Sequence, residues 1–441
     1  MDDYRSWGKF PKAGTQEVKE LYWAQDAGQS FVGGKKVLPR GAGRSQGDVC
    51  LNTDGVLLDT RQLNRYIDFN TNTGVITCEA GVTLAEILKI SLPQGWFLPV
   101  TPGTKYITVG GAVANDVHGK NHHRAGTFGC HVKSFEMIRS SGEKLLCSKE
   151  DNTEMFAATI GGMGLTGLIL WVELQLKKVE STMIDEEVIK MNSLNDFFVL
   201  AKESDKTHDY TVAWLDCQAK GKSLGKGLFM RGNHSQVKTD MSEYKSWIKP
   251  KVKWPAASPP GLINKLSVEM FNLGFYHKNL RQKARHTVHF NKFFYPLDGV
   301  DSWNRVYGNK GFLQYQFVIP VDGGKEILRT ILKKIASSGE ASFLSTMKYF
   351  GDIKSPGLMS FPRPGLVLAT DFINASKKTR KLLTAIDEIV EKSGGAVNPS
   401  KDGRMSTKMF RTSFPEWKTF TDYIDPRFSS SFWRRVNKEE S

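Results

Sequence analysis

No stretch of this chain approaches the ~20 uncharged apolar residues that a bilayer-spanning helix requires. Its start, Met1-Asp2-Asp3-Tyr4-Arg5, lacks the basic and then apolar layout of a secretory leader. The expectation is a cytoplasmic protein, soluble or peripheral at a membrane. Cysteine is scarce: Cys50, Cys78, Cys130, Cys147 and Cys217 are odd in number, scattered, and form no Cys-x-x-Cys pair. That usage fits a reducing compartment and offers no cysteine metal site. Zinc-finger spacing, an RNA-recognition consensus and a basic zipper are all missing, so no nucleic-acid partner is expected. The net charge of +15 nevertheless draws anions, and anionic lipid or a phosphorylated substrate ranks above nucleic acid.

What is present suffices for a large fold. Of 441 residues, 40% are hydrophobic and 24% charged, and a length beyond the roughly 250–300 residues of one core predicts two domains. From residue 37 to about 180, short β-rich runs (55–59, 74–79, 167–174) alternate with glycine punctuation, and 84–89 has helical spacing with Thr83 as N-cap. Beyond residue 176 glycine thins and lysine rises. The Lys-, Trp- and Pro-rich segment 245–260 reads as a loop, either a solvated connector or a membrane contact with tryptophan at the lipid interface. Strand-like 312–320 precedes helical 324–335, and strand-like 365–371 precedes helical 379–386. An antiparallel sheet covered by helices follows, and the fold class is α+β.

Three glycine-rich segments are candidates for chemistry. In Arg40-Gly41-Ala42-Gly43-Arg44-Ser45-Gln46-Gly47 closely spaced glycines let backbone amides approach a polyanion. Gln46 stands where a dinucleotide fingerprint has its third glycine, and an anion nest and a plain turn are both open. Gly162-Met163-Gly164-Leu165-Thr166-Gly167 matches G-x-G-x-x-G but follows a helical run and leads into a strand, the reverse of a nicotinamide site. The longest segment runs from Pro102-Gly103-Thr104 through Gly110-Gly111 to Asp116-Val117-His118-Gly119-Lys120-Asn121-His122-His123. Its histidines raise a metal reading, but Gly119 weakens a helical pair and no third ligand is evident. No metal is expected; a phosphate or isoalloxazine neighbourhood suits the donors better. Lys401-Asp402, taken alone, reads as a surface ion pair.

Together with Trp303, Tyr307, the 312–320 strand, Lys348, Phe350 and Lys401-Asp402, these segments resemble the PCMH-type FAD-binding fold of the vanillyl-alcohol oxidase superfamily. Within it they resemble the decaprenylphosphoryl-ribose 2′-oxidase family over nearly the whole chain. The resemblance implies an FAD-binding domain at 1–181, an inserted substrate domain on an antiparallel sheet at 182–395, and a C-terminal return to the FAD domain at 396–441. It implies FAD contacts at Arg40, Gly41, Ala42, Gly43, Arg44, Ser45, Gln46 and Gly47, with the pyrophosphate against this loop and 110–115. Further implied contacts are Gly103, Thr104, Gly110, Gly111, Ala112, Asn115, Asp116, His118, Gly119 and Asn121, and then Gly164, Gly167, Ile169 and Asn398. A histidine that tethers flavin covalently elsewhere in the superfamily falls at Arg44, so FAD is implied to be noncovalent.

By the same resemblance, Lys401 is the base that takes a sugar hydroxyl proton, helped by His118, while Gln314, Tyr315, Gln316, Lys348 and Phe350 hold the substrate. The implied reaction oxidises the 2′-hydroxyl of a lipid-linked, polyprenyl-phosphoryl pentose to a 2′-keto sugar. A reductase partner would complete an epimerisation serving cell-envelope arabinose synthesis. The chain departs from relatives at Ala369, commonly cysteine, at Val367, commonly asparagine, and at Gln46 and Asn398, where aromatics are usual. An aldonolactone or alditol oxidase acting on a soluble sugar is the main alternative, and a flavin-free protein that binds membrane or nucleic acid the more distant one.

Overall fold

The computed structural model describes residues 4–31, 33–239, 252–254, 257–259, 261–278, 281–340, 342–374 and 377–438. Near the N-terminus, strands Glu17–Glu20, Val56–Asp59 and Val37–Arg40 form a parallel three-stranded sheet with Val56–Asp59 in the middle. That central strand is buried along its whole length, as parallel strands covered on both faces are. Beside it stands a five-stranded antiparallel sheet in the order Tyr66–Asn70, Val75–Glu79, Leu168–Gln175, Val132–Ile138, Lys144–Ser148. The expected helix spans Leu84–Ser91, and Thr83 closes a capping box with Glu86. Its Leu84, Ile87 and Leu88 are buried in the core beneath this sheet.

An eight-stranded antiparallel sheet forms the second layer system. Its order is Lys283–His289, Met183–Met191, Gly227–His234, Tyr210–Leu215, Ser345–Phe350, Gly365–Ile373, Phe312–Ile319, Ala396–Val397. Side chains alternate between its faces with a period of two. Ala213, Leu215, Phe229, Tyr315, Phe317 and Met347 enter a core shared with helices Leu194–Ser204, Gly324–Ser338 and Lys377–Lys392. Helix Gly324–Ser338 presents Leu328, Ile331, Leu332 and Ile335 to that core, the spacing of an amphipathic stripe. The intervening strand residues Val212, Trp214, Leu228, Met230, Gln314, Gln316, Thr346 and Lys348 line a cavity on the opposite face.

Strand Ala396–Val397 closes the large sheet against Phe317 and Val318, and the chain then returns to the N-terminal sheets. Val37 exchanges backbone hydrogen bonds with Arg427 and Ser429, each 2.9 Å, and the Arg435 guanidinium grips Asp48 in a bidentate pair at 2.7 and 2.8 Å. Of the segment expected to be a loop at 245–260, Val252–Lys253 pairs in parallel with Val300–Asp301, which corrects the loop reading there. Residues 245–251, with most of its basic stretch, lie outside the described residues. Among the described residues no helix is long and apolar enough to cross a membrane.

Candidate active site

The glycine-rich loops and the free face of the eight-stranded sheet enclose a cavity of about 940 Å³. Loop 40–46, Gly103-Thr104, Gly110-Gly111, Asn115-Asp116, His118, Gly164 and 167–169 line it from one side, and the sheet, Asn398, Ser400 and Lys401 from the other. The two sides are joined by backbone: Gln46 N donates to Ser400 O at 2.9 Å.

Loop 40–47 resolves between its two readings in favour of an anion nest. The amides of Gly41, Ala42, Gly43, Arg44 and Ser45 have no protein acceptor among the described residues, an arrangement costly at a cavity wall unless a ligand accepts from them. Around them Arg40 Nε, Arg44 Nε and Gln46 Oε1 are buried without partners. The Arg44 guanidinium lies 4.0 Å over the Trp7 ring, which holds it in the cavity wall. Segment 110–112 differs. Gly110 N donates to Ala80 O (2.8 Å), Gly111 N to Thr108 Oγ1 (3.2 Å) and Ala112 N to Thr108 O (2.9 Å). Those amides are consumed internally, so Gly110 and Gly111 supply a smooth wall and the 41–45 loop supplies the donors. The donor set and the size of the cavity fit a dinucleotide with an anionic pyrophosphate.

The chemistry gathers where the two sides meet. Gln316 bridges two groups: its Oε1 accepts from Asn398 Nδ2 at 3.0 Å and its amide nitrogen lies 2.9 Å from His118 Nε2. With Gln316 Oε1 already occupied by a donor, its NH2 donates to His118 Nε2, and the imidazole proton sits on Nδ1. His118 is accordingly neutral: burial, with the charges of Lys348, His122 and Lys401 nearby, holds its pKa well below the ordinary value. His118 Nδ1 is buried without a partner, a donor available to a ligand.

Asn398 also accepts from Ser400 N and Oγ at 3.0 and 2.9 Å, and its carbonyl receives Lys401 N at 3.1 Å. It thus builds the turn that carries Lys401. Burial lowers the Lys401 ammonium to about 8, against the opposing pull of Asp371. Asp371 is itself pushed up to about 6 by burial, though Gln314 Nε2 at 2.6 Å and Tyr307 OH at 3.0 Å donate to it. Lys348 donates to Gly119 O at 3.3 Å. Burial, together with Lys120 and Lys401, brings it down to about 7. Lys120 donates to Phe293 O and burial lowers it to about 8. Three desolvated lysines around one cavity, with Lys348 opposed by the charges of the other two, make a strong anion site.

Residues 25–148 match the FAD binding domain family. Over 419 residues the chain is 35% identical to the decaprenylphosphoryl-β-D-ribose oxidase of Mycolicibacterium smegmatis, covering 92% of this chain and 90% of that protein. It belongs to the decaprenylphosphoryl-β-D-ribose oxidase family. An uncharacterized Streptomyces coelicolor protein from the mprA 5′ region is 30% identical over 80% of this chain and 100% of its own length. The L-gulonolactone oxidase of Bos taurus is 30% identical over 32% of each chain. This member of the oxidase family is an FAD-dependent oxidoreductase with the PCMH-type α+β fold.

Within this oxidase fold several expected contacts are displaced from the cavity. Tyr315 lies on the wrong face of its strand: Gln314 and Gln316 line the cavity, whereas Tyr315 points into the core, where its hydroxyl donates to Asp387 Oδ1 at 2.6 Å. Phe350 does not line the cavity either; it packs behind the histidines, edge-on to His118 at 4.8 Å and stacked on His122 at 4.3 Å. Asn121 donates to Pro99 O at 2.8 Å, Ala112 is fully buried, and Gly119 acts through its carbonyl on Lys348. Gly47 is a packing position, since a Cβ there would stand 1.9 Å from Asp402 O. The surface ion-pair reading of Lys401-Asp402 also fails. Asp402 is buried and accepts from the Arg404 amide at 2.6 Å, which shapes the turn, while Lys401 faces the cavity.

Residues that sequence reasoning passed over include Asp371, Lys120 and an apolar arm of Val188, Trp214, Leu228, Met230, Phe271 and Phe275. Lys120 carried a signal, because it sits two residues from His118 in the His-Gly-Lys-Asn-His-His string. Asp371 carried none beyond its place in a strand. It should nonetheless matter. Asp371→Asn removes a charge that raises the Lys401 pKa, so the rising limb of a kcat/KM pH profile should move to lower pH. An unmoved limb, or one moved to higher pH, would rule out this coupling.

Proposed function

We propose that the chain oxidises the 2′-hydroxyl of a polyprenyl-phosphoryl pentose to the 2′-keto sugar, the first half of an epimerisation that a reductase partner completes. The observation that carries this reading is the convergence of Lys120, Lys348 and Lys401 with a long apolar arm in one cavity. A phosphate needs the first and a prenyl chain the second. The relative named for decaprenylphosphoryl ribose supports it over nearly its full length. L-gulonolactone oxidase matches only about a third of the chain, and a soluble lactone has no use for buried lysines backed by aromatic walls.

FAD, when bound, supplies the acceptor for the hydride that leaves the carbinol carbon. Neutral Lys401 takes the hydroxyl proton, so two electrons and one proton go to the cofactor side and one proton to the amine. His118 Nδ1–H donates toward the reacting oxygen or the ring beside it, oriented by Gln316 and Asn398. Lys348 binds the phosphate. The Gly119 carbonyl fixes its ammonium, and the ionic contact lets substrate binding itself restore the charge that burial disfavours.

Arg44, stacked on Trp7, stands where other branches carry a flavin-tethering histidine, which supports noncovalent FAD. Acid precipitation of the yellow protein should therefore leave FAD in the supernatant. Flavin retained in the pellet would point to a covalent sugar oxidase, and a protein that takes up no FAD at all would sink the oxidase reading.

A further inference from the structure

Helix Lys265–His277 carries apolar residues on both of its faces. Val268, Asn272 and Tyr276 face inward and are buried, the i, i+4, i+8 stripe of a packed face. On the outward face Leu266, Met270 and Leu273 are 66%, 67% and 60% exposed, an apolar stripe where polar residues belong. Leu262, just before the helix, is 45% exposed. Single exposed apolar residues are ordinary, but several contiguous ones mark an interaction surface.

Two further observations say what covers it. The stripe is continuous with the cavity: Phe271, 47% exposed, stacks on Phe275 at 5.7 Å, and Phe275 packs edge-on against Trp214 at 4.8 Å. Phe271, Phe275 and Trp214 all line the cavity's apolar arm. The rim is cationic. Lys265 at the start of the helix and Lys278 at its end are exposed, and Lys278 also lines the cavity. The carboxylates nearby are engaged: Glu269 pairs with Lys265 at 3.7 Å and Asp216 accepts from Asn272 at 2.7 Å.

We propose that the outer face of helix Lys265–His277 seats the protein on an anionic lipid bilayer, so that the apolar arm of the cavity opens directly onto the acyl chains. The lysine rim meets headgroup phosphates while Leu266, Met270 and Leu273 enter the acyl boundary. The aromatic ladder of Phe271, Phe275 and Trp214 then gives a prenyl chain an unbroken apolar path inward. The functional sense of this surface rests on the lipid-phosphate reading of the substrate, but the two are tested separately.

The test uses full-length, FAD-loaded protein, phosphatidylcholine vesicles with and without phosphatidylglycerol, and a water-soluble short-chain prenyl-phosphoryl ribose. The protein should float with the phosphatidylglycerol vesicles. The triple variant Leu266→Ser, Met270→Ser, Leu273→Ser should lose about tenfold or more of this partitioning while turning over the short-chain substrate as the parent does. Met270→Trp should show a blue-shifted emission only when phosphatidylglycerol vesicles are present. Undiminished flotation of the triple variant, or an indole indifferent to vesicles, would overturn the proposal. So would a concentration-dependent dimer that the triple variant abolishes, since a second copy would then own the face. Vesicle binding without turnover of the short-chain substrate would leave the docking surface standing and sink the substrate reading alone.

Discussion

Replacing Lys401 with methionine lowers the rate of anaerobic flavin bleaching by polyprenyl-phosphoryl ribose by about 10³-fold, within the 10²–10⁴ that a positioned general base supplies. Methionine keeps the length and fills the same space, so the Asn398 turn and the 41–45 amides stay where they are. FAD content should be unchanged, and that separates loss of the base from loss of the site. In the free enzyme Lys401 titrates near 8 because burial disfavours its charge. Only the neutral amine accepts a proton, so kcat/KM rises with pH up to that value. Small primary amines added to Lys401→Ala should restore part of the rate, with the rescue growing as pH passes the added amine's own pKa. A rate loss that amines leave untouched, or a variant that bleaches flavin at the parental rate, would remove Lys401 from the role of base.

Lys348→Met raises the KM for the phosphorylated substrate by about 10- to 100-fold, the worth of one charge-assisted hydrogen bond of roughly 1.5–3 kcal/mol, with a smaller change in kcat. The pH dependence carries the sharper signature. Burial and two neighbouring ammonium groups bring Lys348 to about 7, so the free enzyme loses this phosphate partner as pH rises through that value and kcat/KM falls. Combined with the Lys401 limb, the profile peaks between about 7 and 8. In the complex the substrate's anion compensates Lys348 and raises its pKa, so the falling limb moves to higher pH in kcat. Lys348→Met should abolish the falling limb in kcat/KM and keep the rising one. A phosphate-free sugar should be turned over no worse by the variant than by the parent. A KM that does not change would mean the phosphate is held elsewhere, with Lys120 the next residue to replace.

Local chemistry made much of this protein legible before any fold was known. Thr83 caps its helix because Glu86 follows three residues later, and 324–335 reads as a helix because its apolar residues recur on one face. The 40–47 loop signals an anion site through glycine spacing, and the resemblance drew Lys401, His118, Gln316 and Lys348 from four distant segments into what proved to be one cavity. Side-chain direction was less accessible. Tyr315 lies between Gln314 and Gln316 in one strand, so a period of two separates it from both, and the packing of the sheet decides that its face belongs to the core and theirs to the cavity.

The sequence by itself determined the element types, the glycine-lined loop and the residues with the right chemistry, because capping, turns and periodicity are set by neighbours a few positions apart. Tertiary structure alone decided the rest. It spent the Gly110–Ala112 amides on internal bonds and left those of 41–45 open. It set Asn398 as the hinge between Gln316 and Lys401, put Asp371 within the field of Lys401, and turned the face of helix Lys265–His277 outward. Each depends on contacts between segments far apart in the chain, where burial, charge and hydrogen-bond completion act only after the two layer systems have closed on each other.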